Sequence, residues 1–292
     1  MNKRTRLATW LVERRAKEAL RHHVRQRDRD DVRSRQWIGL DTFLADWQGL
    51  HALPAPAPTL SRKIWLLWLQ GEAQAPDMIR TCINSWRTRN PGWDVEVIDE
   101  ARLAGLIDLP DFPAHVAPNH KANVIRLRLL ARYGGVWVDA TTACQRPLDE
   151  WIDTAAQTGF FAFSRPQPIR AVANWFIAAA PGQPLLEAWR MWSEAYILSR
   201  RRARSYFWQH HTFDWMLERF PALQDQWADT PKISARGPHV VQRMIDGDLS
   251  PADTPTADQL ARLPLLKLNR RKGYELSQIR DIFRAAGLVP PL

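Results

Sequence analysis

The sequence predicts an α/β protein built on an open, mostly parallel sheet, and three observations carry that expectation. Short β-rich runs alternate with helical stretches from Lys63 to Ala180, the pattern of strands joined by helical crossovers. The helix-like segment 119–132 runs straight into Tyr133-Gly134-Gly135-Val136-Trp137-Val138-Asp139-Ala140-Thr141, a short strand that closes on a carboxylate. A stiff stretch, Leu53-Pro54-Ala55-Pro56-Ala57-Pro58, separates this body from an N-terminal segment with no Gly or Pro between residues 3 and 36.

Each element has a local reason. Residues 3–36 read as a helix in which Leu7, Trp10 and Leu11 begin a short apolar stripe that Ala16, Ala19, Leu20 and Val24 extend. The Pro-rich stretch divides the chain into an extension, 1–60, and a main domain, 61–292. Lys63 to Leu69 is an apolar strand. Pro76 to Arg89 is a helix, with Pro in its first turn and Ile79, Ile83 and Trp86 at helical spacing. Asn90-Pro91-Gly92 is a turn, Trp93 to Ile98 a strand and Glu100 to Ile107 a short helix. Helix 119–132, strand 135–140, helix 148–156 and strand 160–164 follow, then a further strand from Ala171 to Ala180. Helices over 184–200 and 206–220 make the C-terminal region mainly helical. Neither an internal repeat nor a Gly-rich phosphate loop is present.

Composition narrows the function. At 292 residues the chain suits one large domain or two small ones. Two cysteines, Cys82 and Cys144, exclude a disulfide framework or a cysteine-rich zinc site. The apolar run Ile64 to Leu69 spans six residues, far short of the roughly 18 a membrane-spanning helix needs. The N-terminus lacks the apolar core of a secretion signal, so a cytoplasmic protein, soluble or peripheral, is expected. Of the net charge of +10, residues 1–36 carry +7 and the remainder +3. The near-balanced body argues against nucleic acid as a partner. The basic arm is read either as a solvated, ion-paired helix or as a basic amphipathic element that touches anionic lipid or a partner.

The candidate site centres on Asp139. Strand side chains alternate, so Val136 and Val138 face one way and Trp137 and Asp139 the other. In a parallel sheet Asp139 sits at a strand's carboxyl end, where open α/β sheets bind ligands. On the preceding helix Asn119, Asn123 and Arg126 fall at i, i+4 and i+7, one stripe suited to a nucleotide, with Arg128 and Arg132 on another.

The segment HKANVIRLRLLARYGGVWVDATTACQRPLDEW, from His120 to Trp151, resembles the capsular polysaccharide synthesis protein family. The resemblance continues upstream in KIWLLWLQGEAQAPDMIRTCINSWRTRNPGW, and downstream in FFAFSRP, NWFIAA, YFWQHHTF, PKISARGPH and LLKLN, covering about residues 61–270. It implies a GT-A-like fold and a glycosyltransferase, retaining in its relatives. The donor would be a nucleotide sugar, most often a UDP-sugar, and the acceptor a glycan or lipid-linked molecule. Asp139 would then hold a metal, Mn²⁺ or Mg²⁺, on the donor diphosphate. Asn123, Arg126, Gly134, Gly135 and Trp137 would form the donor site. His239, in Gly237-Pro238-His239, is a candidate to complete the metal shell, and His210 is a candidate catalytic residue facing the acceptor. Trp175 is read as a stacking residue or a core residue, and Asp149 as a helix start.

Two departures from the family pattern stand out. Thr141 replaces the second carboxylate of an Asp-x-Asp element, and Asn123 replaces a helix Asp. They raise a second reading, a non-catalytic polysaccharide-assembly protein with a degenerate donor site.

Overall fold

The structure is a computed structural model that describes residues 3–33, 40–54, 60–199 and 205–292. In chain order its elements are α1 (Lys3–Arg33), α2 (Asp41–His51), β1 (Lys63–Leu67), α3 (Asp77–Arg89), β2 (Asp94–Ile98), α4 (Glu100–Leu106), α5 (Pro118–Tyr133) and β3 (Gly135–Val138). There follow β4 (Thr142–Cys144), α6 (Ile152–Ala155), β5 (Phe160–Gln167), β6 (Arg170–Ala179), α7 (Pro184–Leu198), α8 (Trp208–Arg219) and α9 (Pro221–Asp229). The chain closes with α10 (Val240–Ile245), α11 (Ala257–Ala261), β7 (Leu265–Lys267) and α12 (Leu276–Ala285).

The central sheet has the order β2-β1-β3-β6-β5. β1 runs parallel to both β2 and β3, while β6 runs antiparallel to both β3 and β5. Within this sheet only β6 is reversed, so the fold is α/β with a mostly parallel sheet, as the alternation predicts. A second, two-stranded sheet pairs β4 with β7 and sets Thr142 opposite Lys267.

Alternation along β3 divides the core in two. Val136 and Val138 pack with Ile79, Ile83 and Trp86 of α3 and with Ile279 and Phe283 of α12. Trp137 faces the other layer, with Ile125 and Leu129 of α5, Trp189 of α7 and Phe213 of α8. Both faces of β3 are therefore dry, as expected for a central strand covered on two sides. Cys82 and Cys144 are free and buried, and burial pushes both thiols up to about 12.

Several expectations are corrected. Helix 148–156 is interrupted: Leu148–Glu150 is a 3-10 turn, and α6 is a single turn after it. Trp151 breaks the run, with φ −153°, because its ring is fixed among Trp47, Phe161, Phe163 and Phe176. The helix α2 lacks a counterpart in the sequence reading. It buries Phe43, Trp47 and Leu50 in the same core layer as α3.

The basic helix α1 is also partly integrated. Leu20 and Val24 are buried with the α7–α8 layer. Asp31 pairs with Arg170 at 3.0 Å, and Asp28 accepts a 2.6 Å hydrogen bond from Ser205. Its other end stands free of the body, with Trp10, Leu11 and Val12 at 51%, 40% and 67% exposure. Among the described residues no helix is long and apolar enough to cross a membrane. Leu7, residues 34–36 and most of the Pro-rich stretch lie outside the described side chains.

Gly134 and Gly135, expected at the donor site, lie elsewhere. They open β3, roughly 13 Å along the strand from Asp139. Gly134 ends α5 at φ +65°, and Gly135 follows at φ +93°. A Cβ on Gly135 would stand 2.4 Å from the Lys63 carbonyl oxygen, and one on Gly134 2.6 Å from Pro181. These glycines let the helix turn into the strand and let β3 approach β1. Gly135→Ala should therefore lower stability by about 2–4 kcal/mol. Gly92→Ala, where a Cβ meets nothing within 4 Å, is the control. Chemical denaturation of both variants checks the difference.

Candidate functional site

A cavity of about 820 Å³ opens at the carboxyl ends of β1 and β3. Leu67 and Trp68 line it from the end of β1, Asp139 to Thr141 from the end of β3, and Arg170 and Ala173 to Trp175 from β6. α5 contributes Asn119, Asn123 and Arg126, α8 contributes His210, and β7 with the turn after it contributes Lys267 to Arg271. The cavity thus forms where the sheet's strand ends meet the β4–β7 pair, the usual ligand crevice of an open α/β sheet.

Asp139 is its centre. Its backbone N–H donates to the Trp175 carbonyl at 2.8 Å, fixing the strand end. Its Oδ1 accepts a 3.1 Å hydrogen bond from the Trp137 indole and lies 3.2 Å from Arg126 Nη2. Its Oδ2 lies 4.0 Å from Lys267 Nζ. The Lys267 ammonium also donates to the Thr141 hydroxyl. Burial lowers the Lys267 pKa and Asp139 pulls it back up. The same two causes, in the same order, act on Arg126.

Arg126 is held from three sides. It donates to the backbone carbonyls of Ala122 and Asn174, and its guanidinium lies 5.2 Å from the Trp137 ring centroid. Asn123 belongs to an amide network: Asn174 donates to its Oδ1 at 3.3 Å, and Gln209 donates to its backbone carbonyl at 2.6 Å. Trp137 is buried, so its part in the site is to donate to Asp139 through its N–H.

The cavity is strongly cationic. Among the described residues Arg126, Arg170, Arg236, Arg243, Lys267, Arg270 and Arg271 line it, against Asp139 as the one lining carboxylate. Asp31 and Asp248 offset part of this from behind, on Arg170 and Arg243. The positive field is legible in the titrating groups. Arg236 is lowered by burial and then by Arg170, Arg243 and Arg165. His210 is lowered well below its usual value, by burial first and Arg170 second. His239, bonded to Gln242 and edge-on to Trp175, is pushed down to about 3 by burial and then by Lys267.

Among the described residues, buried polar atoms of this lining without a partner include the indole N–H groups of Trp68 and Trp175 and the side-chain oxygen of Gln167. Trp175 also stacks on Phe163 at 4.9 Å, so it is anchored in the core and presents one edge to the cavity. Asp149 lies elsewhere, accepting from Trp93 at 2.9 Å. Lys267, Arg170, Arg236, Arg243, Arg270 and Arg271 are not among the site residues expected from the sequence. One signal was present: Lys267 interrupts the apolar run Leu265-Leu266-Lys267-Leu268, a charge placed inside a buried strand.

These residues fit a resident divalent ion poorly. Among the described residues no cluster of three His, Cys, Asp or Glu side chains is placed to hold one. Asp139 Oδ1 is engaged by two donors, and the position of a second carboxylate is a threonine hydroxyl bonded to an ammonium. Mg²⁺ and Mn²⁺ take oxygen ligands from one or two carboxylates together with phosphates and waters, and of Asp139 the oxygen that remains for one is Oδ2, which faces the Lys267 ammonium.

The profile of the family described as capsular polysaccharide synthesis protein matches residues 50–283. The chain belongs to this family. The match begins at the last turn of α2 and runs through the sheet to α12. The chain is similar to the O-glycosyltransferase braB of Annulohypoxylon truncatum, 26% identical over 45% of this chain and 36% of that protein. It is also similar to the inositol phosphoceramide mannosyltransferase 1 of Schizosaccharomyces pombe, 25% identical over 49% of this chain and 46% of that one. The matched region thus spans less than half the length of either relative. The solved structure of the PaToxG Glycosyltransferase aligns over 86% of this chain and 94% of that chain, at 13% identity and a TM-score of 0.41.

The depressed His239 sets an expectation for acid stability. Between its ordinary value of 6.5 and about 3, the unfolded chain binds a proton that the folded chain excludes. Stability is therefore lost as pH falls through that window. From about pH 7 to about pH 5 this contributes up to about 2 kcal/mol of destabilisation. Melting temperatures across that range should fall less steeply for His239→Gln than for the parent chain.

Proposed function

We propose that this chain transfers a glycosyl group from a nucleotide sugar, a UDP-sugar in the first instance, to a hydroxyl of a glycan or lipid-linked acceptor in surface polysaccharide synthesis. The observation that carries the reading is the cavity itself. It sits at the strand ends of an α/β sheet, has the size of a nucleotide site, and gathers seven cations around one carboxylate. A nucleoside diphosphate brings the complementary charge. The family membership and the names of the relatives agree with it.

In the proposed step the acceptor oxygen bonds the sugar's anomeric carbon on the face from which the diphosphate departs, which retains configuration. The bond between that carbon and the phosphate oxygen breaks, and its electron pair leaves on the diphosphate. Arg126 and its neighbouring cations hold the charge that builds there, in a site fixed before the reaction begins. His210, kept neutral by burial and placed on the cavity lining, takes the acceptor's proton. The N–H groups of Trp68 and Trp175 are donors for sugar hydroxyls.

Hydrolysis and transfer assays with UDP-, GDP- and CMP-sugars test this reading. Turnover of one donor class is expected. His210→Asn should lower turnover by about 10²–10⁴ while leaving nucleotide affinity within a few fold. Arg126→Met should weaken nucleotide binding measured by calorimetry. Tight nucleotide binding with no turnover of any donor would favour the non-catalytic assembly protein instead.

The free end of α1 is proposed to meet an anionic membrane surface at the inner membrane face. Trp10, Leu11 and Val12 are exposed there, beside Arg14 and Arg15. Each cation near such a surface adds about 1 kcal/mol. Because Leu20 and Val24 pack on the body, the informative truncation removes residues 1–14 only. It should abolish sedimentation with anionic liposomes at about 0.1 M salt and leave the melting temperature nearly unchanged.

A further inference from the structure

The immediate surroundings of Asp139 suggest how a diphosphate is held. In the Asp-x-Asp arrangement two carboxylates recruit a divalent ion, and the ion bridges them to the donor. Here the second carboxylate is Thr141, and a cation is already bonded to its hydroxyl: Lys267, whose Nζ also lies 4.0 Å from Asp139 Oδ2. The placement is built into the fold. β4 and β7 pair with Thr142 opposite Lys267, and the Leu268 N–H donates to the Thr141 carbonyl at 2.9 Å. The backbone of Lys267 is thereby fixed beside Thr141 and Asp139.

A divalent ion bound to Asp139 Oδ2 at about 2.1 Å would come within roughly 6 Å of this ammonium. It would also stand near Arg126, 3.2 Å from the other carboxylate oxygen. Adding two positive charges to a cavity already rich in arginine is electrostatically costly. Adding a diphosphate relieves the same repulsion.

We infer that Lys267 is a built-in cation standing where a divalent ion would otherwise bridge Asp139 to the donor, so that this site binds a diphosphate without a resident metal. The assignment of the ligand as a donor diphosphate rests on the function proposed above, but the cation site is testable without it. Asp139 then acts as the counterion that keeps Lys267 and Arg126 together in the empty cavity. Lys267 and Arg126 are the groups that face the phosphates.

The test is calorimetric titration of the full chain with inorganic pyrophosphate, and separately with UDP and GDP, in excess EDTA and in Mn²⁺. Pyrophosphate should bind in EDTA. Nucleoside diphosphate affinity should agree within about twofold between EDTA and Mn²⁺. Lys267→Met should lose about tenfold or more in pyrophosphate affinity, and Lys267→Arg should retain most of it. The methionine variant removes a buried charge from a strand of leucines, so it should remain folded; if it does not, the EDTA comparison on the parent chain and the Lys267→Arg titration still decide. Pyrophosphate that binds only with Mn²⁺, or that binds Lys267→Met as tightly as the parent, or that does not bind at all, overturns the inference. Pyrophosphate binding in EDTA with no affinity for any nucleotide would sustain the cation site and sink the nucleotide-sugar reading instead.

Discussion

Asp139 is a single carboxylate held among cations, and much of the structure serves to keep it there. It sits at the end of β3, its N–H is bonded to Trp175 on the neighbouring reversed strand, and Arg126, Trp137 and Lys267 converge on its side chain. Arg126 comes from α5, Trp137 from β3 itself and Lys267 from a strand more than a hundred residues later. Removing a buried pair's one carboxylate leaves cations without compensation, which costs several kcal/mol when the pair is deeply buried and less for one open to a cavity, as Asp139 is at 29% exposure. Function and fold therefore share this contact.

The two core layers explain how such a site survives. Trp137 is packed between α5, α7 and α8, so the indole N–H that bonds Asp139 has no freedom to move. Arg126 is pinned by carbonyls from its own helix and from β6. These supports mean that little reorganisation is needed when charge develops on a leaving group. The α1 helix joins the same arrangement at its far end, where Asp31 pairs with Arg170 on the cavity lining.

Much of this was legible in the sequence, and the reasons differ by element. The α5–β3 unit was legible because helical and strand periods change sharply at Gly134 and because the strand ends on a carboxylate. The stripe of Asn119, Asn123 and Arg126 was legible as a helical spacing, and all three residues line the cavity. Trp137, expected in the donor site, is buried and donates its indole N–H to Asp139, a contact with no signature in the sequence. The two glycines were misread because adjacency in sequence to Asp139 hides that a strand carries them to its opposite end. Lys267 was not legible as a partner of Asp139, because the pairing of β4 with β7 is a long-range contact with no local signature. Nor was α2, whose Phe43 packs over Gly237 and whose Trp47 meets Trp151, both far along the chain.

The central claim is that Asp139 serves as the counterion of Arg126 and Lys267 rather than as the anchor of a metal. The most direct measurement is the pyrophosphate affinity of Asp139→Asn relative to the parent chain, by calorimetry in excess EDTA. With the carboxylate neutralised and both cations in place, a phosphate ligand meets less repulsion, and affinity should rise several fold. A fall in affinity, or no change, would contradict the account.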